Sequence, residues 1–243
     1  MTRTLSLDGY MEVLSHEAIV TKRYKDSVGV WTIAAGHTAA AGGVDPDLVK
    51  RELTVEECMQ IFIEDLKKFE ARVDKHLSKD ATQMEFDAAV SFDINTGAIH
   101  KATWVKHFNK GDKAAAVKNI MNWRKPPEII ERRSLERDLL AGKGYSHSGK
   151  VSVYPASPTG AVQWSKGKRV DAMPLLVRAL QKRPVSPTEP DPAPQPPPPP
   201  DIPKPALTAR VGQTDSASKT SGYIGVGIFL AIVAFVAIFM LLT

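Results

Sequence analysis

The chain has 243 residues, of which 43% are hydrophobic and 24% are charged, so it can form a real hydrophobic core and is neither wholly disordered nor collagen-like. Its single cysteine, Cys58, excludes an internal disulfide and has apolar neighbours at helical spacing, which predicts a buried core thiol. The formal net charge of +5 suits an anionic partner: nucleic acid, a membrane surface or a bacterial cell wall.

The beginning of the chain predicts a helix and not an export signal. Asp8, Glu12 and Glu17 interrupt the amino-terminal segment, so it contains no continuous apolar stretch of signal-peptide length. The helix is expected to run from about Ser6 to Glu17. We therefore predict no amino-terminal secretory signal in this sequence.

A small β-hairpin is predicted over residues 20–37. Aromatic and β-branched residues, among them Tyr24 and Trp31, flank the turn-forming residues Asp26 and Gly29. This strand-like insertion interrupts a region whose other periodic segments are helical. We therefore expect a mainly helical domain that contains one small β lobe.

Two capping boxes mark helix starts further along the chain. Thr54 and Thr82 each precede a glutamate by three residues, a spacing in which the two side chains satisfy each other's backbone N–H groups. Apolar residues at helical spacing follow both motifs. Two more helices are predicted over residues 113–123 and 128–140.

Composition divides the chain into further segments. We expect residues 1–150 to form the folded domain and residues 183–221 to form a proline-rich and polar linker, in which polyproline II is favoured. Residues 151–182 either complete the folded domain or form a basic appendage, with a short helix if Pro174 lies in its first turn. We assign no function to this extension.

The last segment, residues 222–243, is predicted to be a membrane helix. Residues 222–242 carry no charge and are rich in isoleucine, valine, phenylalanine, leucine and alanine. As a helix they span roughly 32 Å, enough for a hydrocarbon core of about 30 Å. The expected partner of this segment is membrane lipid.

Glu17, Asp26 and Thr32 are candidate catalytic residues for the hydrolysis of a glycosidic bond. The hairpin is expected to bring Asp26 and Thr32 close to Glu17 at the end of the first helix. Such hydrolysis needs one protonated carboxyl that donates to the leaving oxygen and one ionised carboxylate that activates water or stabilises positive charge. From the pattern alone, the alternative is a solvated helix-end glutamate and a turn-forming aspartate.

The flanking residues favour the catalytic alternative. The segment HEAIVTKRYKDSVGVWTIAAGHT, residues 16–38, strongly resembles the active-site segment of the phage-type lysozymes, glycoside hydrolase family 24. The family pattern is Glu, eight residues, Asp or Cys, five residues and Thr. Glu17, Asp26 and Thr32 keep this spacing in the present sequence.

Further matches to the same family follow in order. Residues 83–97 resemble its central helix and the turn after it, and residues 132–136 resemble its final Arg-Arg-x-x-Glu helix. The resemblance spans roughly residues 5–145. It implies an α+β, mainly helical, lysozyme-like fold with a small β-hairpin lobe.

The resemblance also implies an activity, peptidoglycan hydrolysis at the β-1,4 bond between N-acetylmuramic acid and N-acetylglucosamine. By resemblance, Glu17 is the general acid, Asp26 assists the attacking water or the developing cation, and Thr32 helps to position that water. No metal or organic cofactor is implied. The expected partners are bacterial peptidoglycan and a holin; we expect a monomer and no nucleic-acid binding.

Several nearby residues carry separate expectations. Ala34 and Ala35 replace the usual Gly-x step of the family, and a methyl group at Ala34 is unfavourable if that glycine has a positive φ. His37 is expected to make a structural hydrogen bond or ion pair. The charged cluster at residues 132–137 is expected to form intrahelical pairs on a solvated face.

The cellular location follows from the predicted membrane helix. We expect a single-pass protein of a bacterial or host-cell inner membrane. Arg210 and Lys219 precede the apolar segment, which favours a cytoplasmic catalytic domain that waits for a holin; the alternative is a domain held on the outer face.

A different class of function is a catalytically inactive peptidoglycan-binding tether between membrane and wall, against which the intact Glu17, Asp26 and Thr32 argue.

Overall fold

A computed structural model of the protein describes residues 2–182, which form seven α-helices and one five-stranded mixed sheet. The predicted linker, residues 183–221, and the predicted membrane helix, residues 222–243, lie outside these residues. Among residues 2–182, none of the helices combines the length and the apolar character needed to cross a bilayer. The mixed helical and sheet content confirms the predicted α+β class.

The elements follow one another with short connections. The α-helices are α1 (Leu7–Ser15), α2 (Val55–His76), α3 (Gln83–Thr96), α4 (Thr103–Asn109), α5 (Lys113–Ile120), α6 (Ile130–Leu140) and α7 (Met173–Gln181). The strands are β1 (Ala18–Lys25), β2 (Trp31–Ala34), β3 (His37–Thr38), β4 (Lys150–Tyr154) and β5 (Lys168–Asp171). Sequence patterns predicted neither α4 nor the last two strands.

The long helix α2 supplies much of the hydrophobic core. It begins at the predicted capping box, in which the Thr54 hydroxyl accepts the Glu57 N–H and the Glu57 carboxylate accepts the Thr54 N–H. Residues on its buried face recur every three or four positions and include Cys58, Ile61, Phe62, Leu66, Phe69 and Val73. Burial raises the pKa of the Cys58 thiol, which confirms a core cysteine and not a nucleophile.

Helix α3 lies at the centre of the helical part and is buried over most of its length. Its buried polar groups are satisfied: Asp87 accepts from Ser6 and Tyr145, and Asp93 accepts from Arg72 Nε at 2.6 Å. Helix α1 approaches closely, because a Cβ at Gly9 would lie 2.4 Å from an Asp87 oxygen. The contact between α1 and α3 therefore requires glycine at position 9. This contact holds α1, the first helix of the chain, against α3.

The sheet has the strand order β3-β2-β1-β4-β5. The predicted hairpin is confirmed: β1 and β2 pair antiparallel, with Tyr24 opposite Thr32. On its other edge β1 pairs in parallel with β4, so that Ala18 lies beside Ser152 and Val20 beside Tyr154. The hairpin is therefore part of a larger sheet that late residues of the chain complete.

The extension, residues 151–182, packs onto the rest of the domain and does not form a separate appendage. Helix α7 lies against α2 and buries Leu176 fully, while its outer residue Val177 is exposed. Pro174 lies in the first turn of this helix, as predicted. Arg178 Nε also donates to a Glu56 oxygen at 2.8 Å, at the start of α2.

The two faces of the sheet have different neighbours. Ile19 and Ile33 point into the main core, against the helices. Val20, Tyr24 and Ala156 form a second, smaller cluster, to which Tyr154 and Val162 contribute. Side chains alternate between the faces of a strand, so this second cluster lies on the opposite face of the sheet.

We expect Leu176→Ala to lower the free energy of unfolding by about 2–5 kcal/mol, since it leaves a cavity between α7 and α2. Val177→Ala, on the exposed side of the same helix, is the matched control and should change it by less than about 0.5 kcal/mol. Chemical denaturation of the full chain measures both. Equal effects of the two substitutions would contradict the integration of the extension into the domain.

Candidate functional site

Glu17 lies at the junction between α1 and β1. Its backbone N–H donates to the Leu14 carbonyl at 3.1 Å, so the last turn of α1 fixes its position. Its side chain is 15% exposed and accepts from Arg132 Nη1 at 3.0 Å. Burial raises the pKa of the Glu17 carboxyl above its ordinary value, and the nearby Arg132 only partly offsets this shift.

Asp26 lies in the hairpin turn and organises it. One of its carboxylate oxygens accepts the N–H groups of Val28 and Val30, at 3.0 and 2.9 Å. Its own N–H donates to the Val30 carbonyl, and Gly29 adopts a φ of 83°, which the turn requires. The structure thus gives Asp26 the turn-forming role that the sequence left as an alternative, and it keeps the carboxylate half-buried at the hairpin tip.

Thr32 lies on β2, on the same face of the sheet as Tyr24. The two residues are direct partners in the antiparallel ladder, and such partners point to one face. Thr32 is almost fully buried, and its hydroxyl donates to the Val30 carbonyl at 3.1 Å. Its lone pairs remain able to accept a further hydrogen bond.

The charges of both candidate carboxylates act on Tyr24. Burial raises the pKa of its hydroxyl, and the negative charges of Glu17 and Asp26 both add to this shift. The structure places Glu17 just before β1, Asp26 in the turn just after it, and Thr32 on β2 opposite Tyr24.

Arg132 contacts Glu17 from α6. It is almost fully buried and also donates from Nε to Glu136 Oε1 at 3.1 Å and from Nη2 to the Ser91 carbonyl at 3.3 Å. The prediction that this charged cluster lies on a solvated face is therefore wrong. The intrahelical pairs exist, but they lie inside the protein, where the Glu17 and Glu136 carboxylates stabilise the buried cation.

Arg133 completes this buried network. It pairs with Glu136 within α6, and it donates to the Trp123 carbonyl and to the Asn95 side chain at 3.0 and 2.6 Å. Glu136 in turn accepts from the Ser91 hydroxyl at 2.7 Å. These contacts join α6 to α3, so that the position of Arg132 against Glu17 depends on both helices.

Ala34 is the last residue of β2, and His37 is the first residue of β3. Ala34 has a φ of 56°, the one positive φ among the non-glycine residues 2–182, so its backbone adopts a conformation that favours glycine. His37 donates from Nε2 to the Val44 carbonyl at 2.6 Å, and its Nδ1 lies 2.9 Å from an Asp65 oxygen. Burial opposes protonation of this ring, but Asp65 raises its pKa above the ordinary value. The predicted structural role of His37 is confirmed.

The geometry suits acid–base chemistry on a neutral bond. The site includes a mostly buried carboxyl with a raised pKa, a carboxylate held by backbone N–H groups and a threonine hydroxyl. Within the part of the chain that the structure describes, no group of three histidine, cysteine or carboxylate side chains could hold a metal ion. Sequence patterns missed the contact of Arg132 with Glu17, although the Arg-Arg-x-x-Glu spacing pointed to that helix.

Comparison with known proteins agrees with this geometry. The family model described as phage lysozyme matches residues 14–136. The endolysin of Bacillus phage B103 is 29% identical over 188 residues, which cover 73% of this chain and 70% of the phage protein. The SAR-endolysin of Escherichia phage Mu is 33% identical over 148 residues, covering 56% of this chain and 83% of that protein.

Solved structures show the same fold. An endolysin from the Escherichia coli O157:H7 phage FAHEc1 aligns with a TM-score of 0.54 and 28% identity, over 60% of this chain and 98% of that chain. A mutant of P22 lysozyme aligns with a TM-score of 0.52 and 26% identity, over 57% of this chain and 99% of that chain. The chain belongs to the phage lysozyme family. At the level of this family it is a peptidoglycan hydrolase of the glycosidase class.

We expect Ala34→Gly to be neutral or to stabilise the protein by up to about 1 kcal/mol. An alanine at positive φ costs about 1–2 kcal/mol, and the substitution by glycine removes this strain. The greater freedom of glycine in the unfolded chain offsets about 0.4–1 kcal/mol of the stability gained. Ala35→Gly is the control, because Ala35 lacks a positive φ, and it should destabilise the protein. Thermal unfolding compares the two, and a marked loss of stability in Ala34→Gly would contradict this account.

Proposed function

We propose that the protein cleaves the β-1,4 bond between N-acetylmuramic acid and N-acetylglucosamine, with Glu17 as general acid. One observation carries the proposal: the Glu17 side chain is only 15% exposed, its pKa is raised by burial, and the Arg132 guanidinium lies 3.0 Å from its carboxyl. The phage lysozyme match, which includes all three residues, supports it.

Glu17 is suited to donate a proton. Its burial keeps the carboxyl protonated at a higher pH than that of an exposed glutamate, so a proton is available to the leaving glycosidic oxygen. After the transfer the carboxylate is negative, and Arg132 at 3.0 Å stabilises that charge. Arg132 thus positions Glu17 and favours the product of the proton transfer.

Asp26 and Thr32 are suited to the opposite side of the reaction. The Asp26 carboxylate accepts two backbone N–H groups, and it can stabilise the oxocarbenium-like charge or orient the attacking water. The Thr32 hydroxyl donates to Val30, so it can accept a hydrogen bond from the same water. The proton lost by that water passes to the Asp26 carboxylate or to solvent.

Delivery to the wall is a further part of the proposal. Residues 222–242 are uncharged and apolar, and membrane lipid would hold the chain at an inner membrane through this segment until a holin or membrane damage exposes the wall. The relatives named SAR-endolysin support an association with the membrane. Protease treatment of intact spheroplasts tests the topology: a protected lysozyme domain indicates the cytoplasmic side, and a digested one the outer face.

We expect Glu17→Gln to reduce the clearing of permeabilised Gram-negative cells by at least about a thousandfold, because the amide cannot donate an acidic proton. Asp26→Asn should cost about a hundredfold or more, since it keeps an oxygen that can accept the N–H groups of Val28 and Val30 but loses the charge. Turbidity measurements with the full-length chain and its two variants give these rates.

Folding of each variant is the control for this experiment, and thermal unfolding provides it. Activity of Glu17→Gln close to that of the unchanged chain would refute the assigned acid. A folded, unchanged chain that sediments with peptidoglycan but clears no cells would instead support the tether between membrane and wall.

The rate should fall as the pH rises through the raised pKa of Glu17, because only the protonated form is an acid. An ordinary glutamate has a pKa of about 4.3. The clearing rate is therefore expected to fall, on the alkaline side of its pH profile, at a pH clearly above that value. Carbon-13 NMR titration of the Glu17 carboxyl, compared with the pH profile of clearing, checks that the two midpoints coincide. The role of Glu17 would be contradicted if the clearing rate fell at the pKa of an ordinary glutamate, or if the midpoint of the pH profile differed from that of the NMR titration.

A further inference from the structure

The loop after β4, residues 155–163, supports the hairpin beyond the end of that strand. The parallel ladder between β1 and β4 covers residues 18–20 of β1 and stops where β4 ends, at Tyr154. Strand β1 itself continues to Lys25. The N–H of Lys25 donates to the Gly160 carbonyl at 2.8 Å, so the loop holds the edge of β1 at the residue before Asp26.

The loop has a defined conformation of its own. Its residues Ser-Pro-Thr-Gly form a β-turn in which the Gly160 N–H donates to the Ser157 carbonyl at 3.0 Å, with proline at the second position. The Ser157 hydroxyl accepts the Ala161 N–H at 3.0 Å. Ala156 pairs with Val162 across the turn in an antiparallel bridge. These hydrogen bonds and the fixed φ of the proline give the loop a shape that it can impose on the hairpin.

Gly160 lies against the last cross-strand pair of the hairpin. Lys25 and Trp31 are opposite each other in the antiparallel ladder, immediately before and after the turn that contains Asp26. A Cβ at Gly160 would lie 2.7 Å from the Trp31 ring and 3.1 Å from Lys25 Cγ. Gly160 is buried and has a φ of 91°, which a residue with a side chain rarely adopts. Glycine is therefore needed here both for the backbone conformation and for the close approach.

Trp31 has little room to move away from the loop. Arg23 Cζ lies 4.3 Å and Lys25 Nζ lies 4.5 Å from the centre of its ring. The Lys25 ammonium also donates to the Gly29 carbonyl at 3.1 Å, inside the turn. A change in the loop is therefore transmitted through Trp31 and Lys25 to the turn whose N–H groups Asp26 accepts.

We infer that Gly160 is a positioning residue for the proposed hydrolysis: it holds the last pair of the hairpin and thereby fixes Asp26 relative to Glu17. The inference rests on the proposed function. It adds a requirement for the extension, since Gly160 lies beyond residue 136, where the match to the family model ends. Glu17 itself is held by α1 and by Arg132. A change at Gly160 therefore affects the turnover of bound substrate and leaves the Glu17 carboxyl in its environment.

The experiment compares Gly160→Ala with Gly111→Ala in the full-length chain. Gly111, between α4 and α5, has a similar φ of 82°, but a Cβ there would meet nothing within 4 Å in residues 2–182, so this control carries the backbone strain without the contact. We expect Gly160→Ala to lower kcat on purified sacculi by about ten- to a hundredfold, because a shift of about 1 Å in a reacting group has an effect of that size. KM should stay within about twofold, and the rate should fall at the same alkaline pH as in the unchanged chain.

Gly111→Ala should leave kcat unchanged, although thermal unfolding shows a comparable loss of stability. Adding Trp31→Phe to Gly160→Ala shortens the ring that the new methyl group meets, and it should restore most of the lost kcat. A general loss of stability would instead become worse, since Trp31→Phe removes apolar contacts. An unchanged kcat in Gly160→Ala, an equal loss in Gly111→Ala or no recovery in the double variant would overturn the inference.

Val162→Ala is a milder second variant, which decides the question if Gly160→Ala does not fold. It removes contacts of the loop with the cluster around Tyr24 and adds no atom. It should lower kcat about threefold at unchanged KM, because the loop then holds the hairpin less firmly. An unchanged kcat in a folded Val162→Ala variant would count against the inference.

Amide hydrogen exchange gives a readout that does not depend on activity. The N–H groups of Val28 and Val30, which Asp26 accepts, should exchange at least about tenfold faster in Gly160→Ala than in Gly111→Ala. Equal exchange rates in the two variants would refute the positioning role. If the unchanged chain hydrolyses no sacculi, the proposed function fails, and the exchange rates alone decide whether Gly160 holds the turn.

Discussion

The contact between Arg132 and Glu17 is the interaction on which the rest of the site depends. A buried arginine needs carboxylates around it, and the protein supplies Glu136 from the same helix and Glu17 from the junction of α1 and β1. Ser91 on α3 donates to Glu136, so three helices hold one cation. Because Arg132 and Glu136 are buried, this network holds Glu17 in a poorly solvated environment, which is what a proton donor requires.

Local signals in the sequence predicted much of the fold. Thr54 and Thr82 marked the starts of α2 and α3, because a capping box depends only on residues three positions apart. The hairpin followed from turn residues and strand formers close together in the chain. The strands β4 and β5 were missed, since the pairing of Ser152 with Ala18 joins distant parts of the chain and leaves no local pattern.

The site shows the same division between local and distant information. The spacing of Glu17, Asp26 and Thr32 selected the three residues, and the structure places them just after α1, in the hairpin turn and on β2. The burial of Arg132 could not be read from its own helix, because the pattern of charges at residues 132–137 is the same for a solvated face as for a buried network. Only the position of α3 against α6 decides between them.

The conformation of the hairpin depends on the Asp26 side chain and on the loop after β4. Asp26 holds its turn with the same carboxylate that the proposed reaction uses, so local order and chemistry share one side chain. Outside the turn, the loop after β4 supports the hairpin, because the Lys25 N–H donates to the Gly160 carbonyl at 2.8 Å. Gly160 also lies against Trp31, with no room for a Cβ. The extension thus contacts the hairpin at Lys25, the residue immediately before Asp26.

The parallel pairing of β1 with β4 has a consequence for the order of folding during synthesis. Strand β1 is made early, but the strand beside it emerges only after all of the helices from α1 to α6. Contacts between such distant segments form late, since their loop-closure entropy is offset only when the intervening helices have packed. A ribosome-bound chain that lacks β4 therefore has an open sheet edge beside Glu17, and the complete face of the enzyme assembles only when the domain is nearly finished.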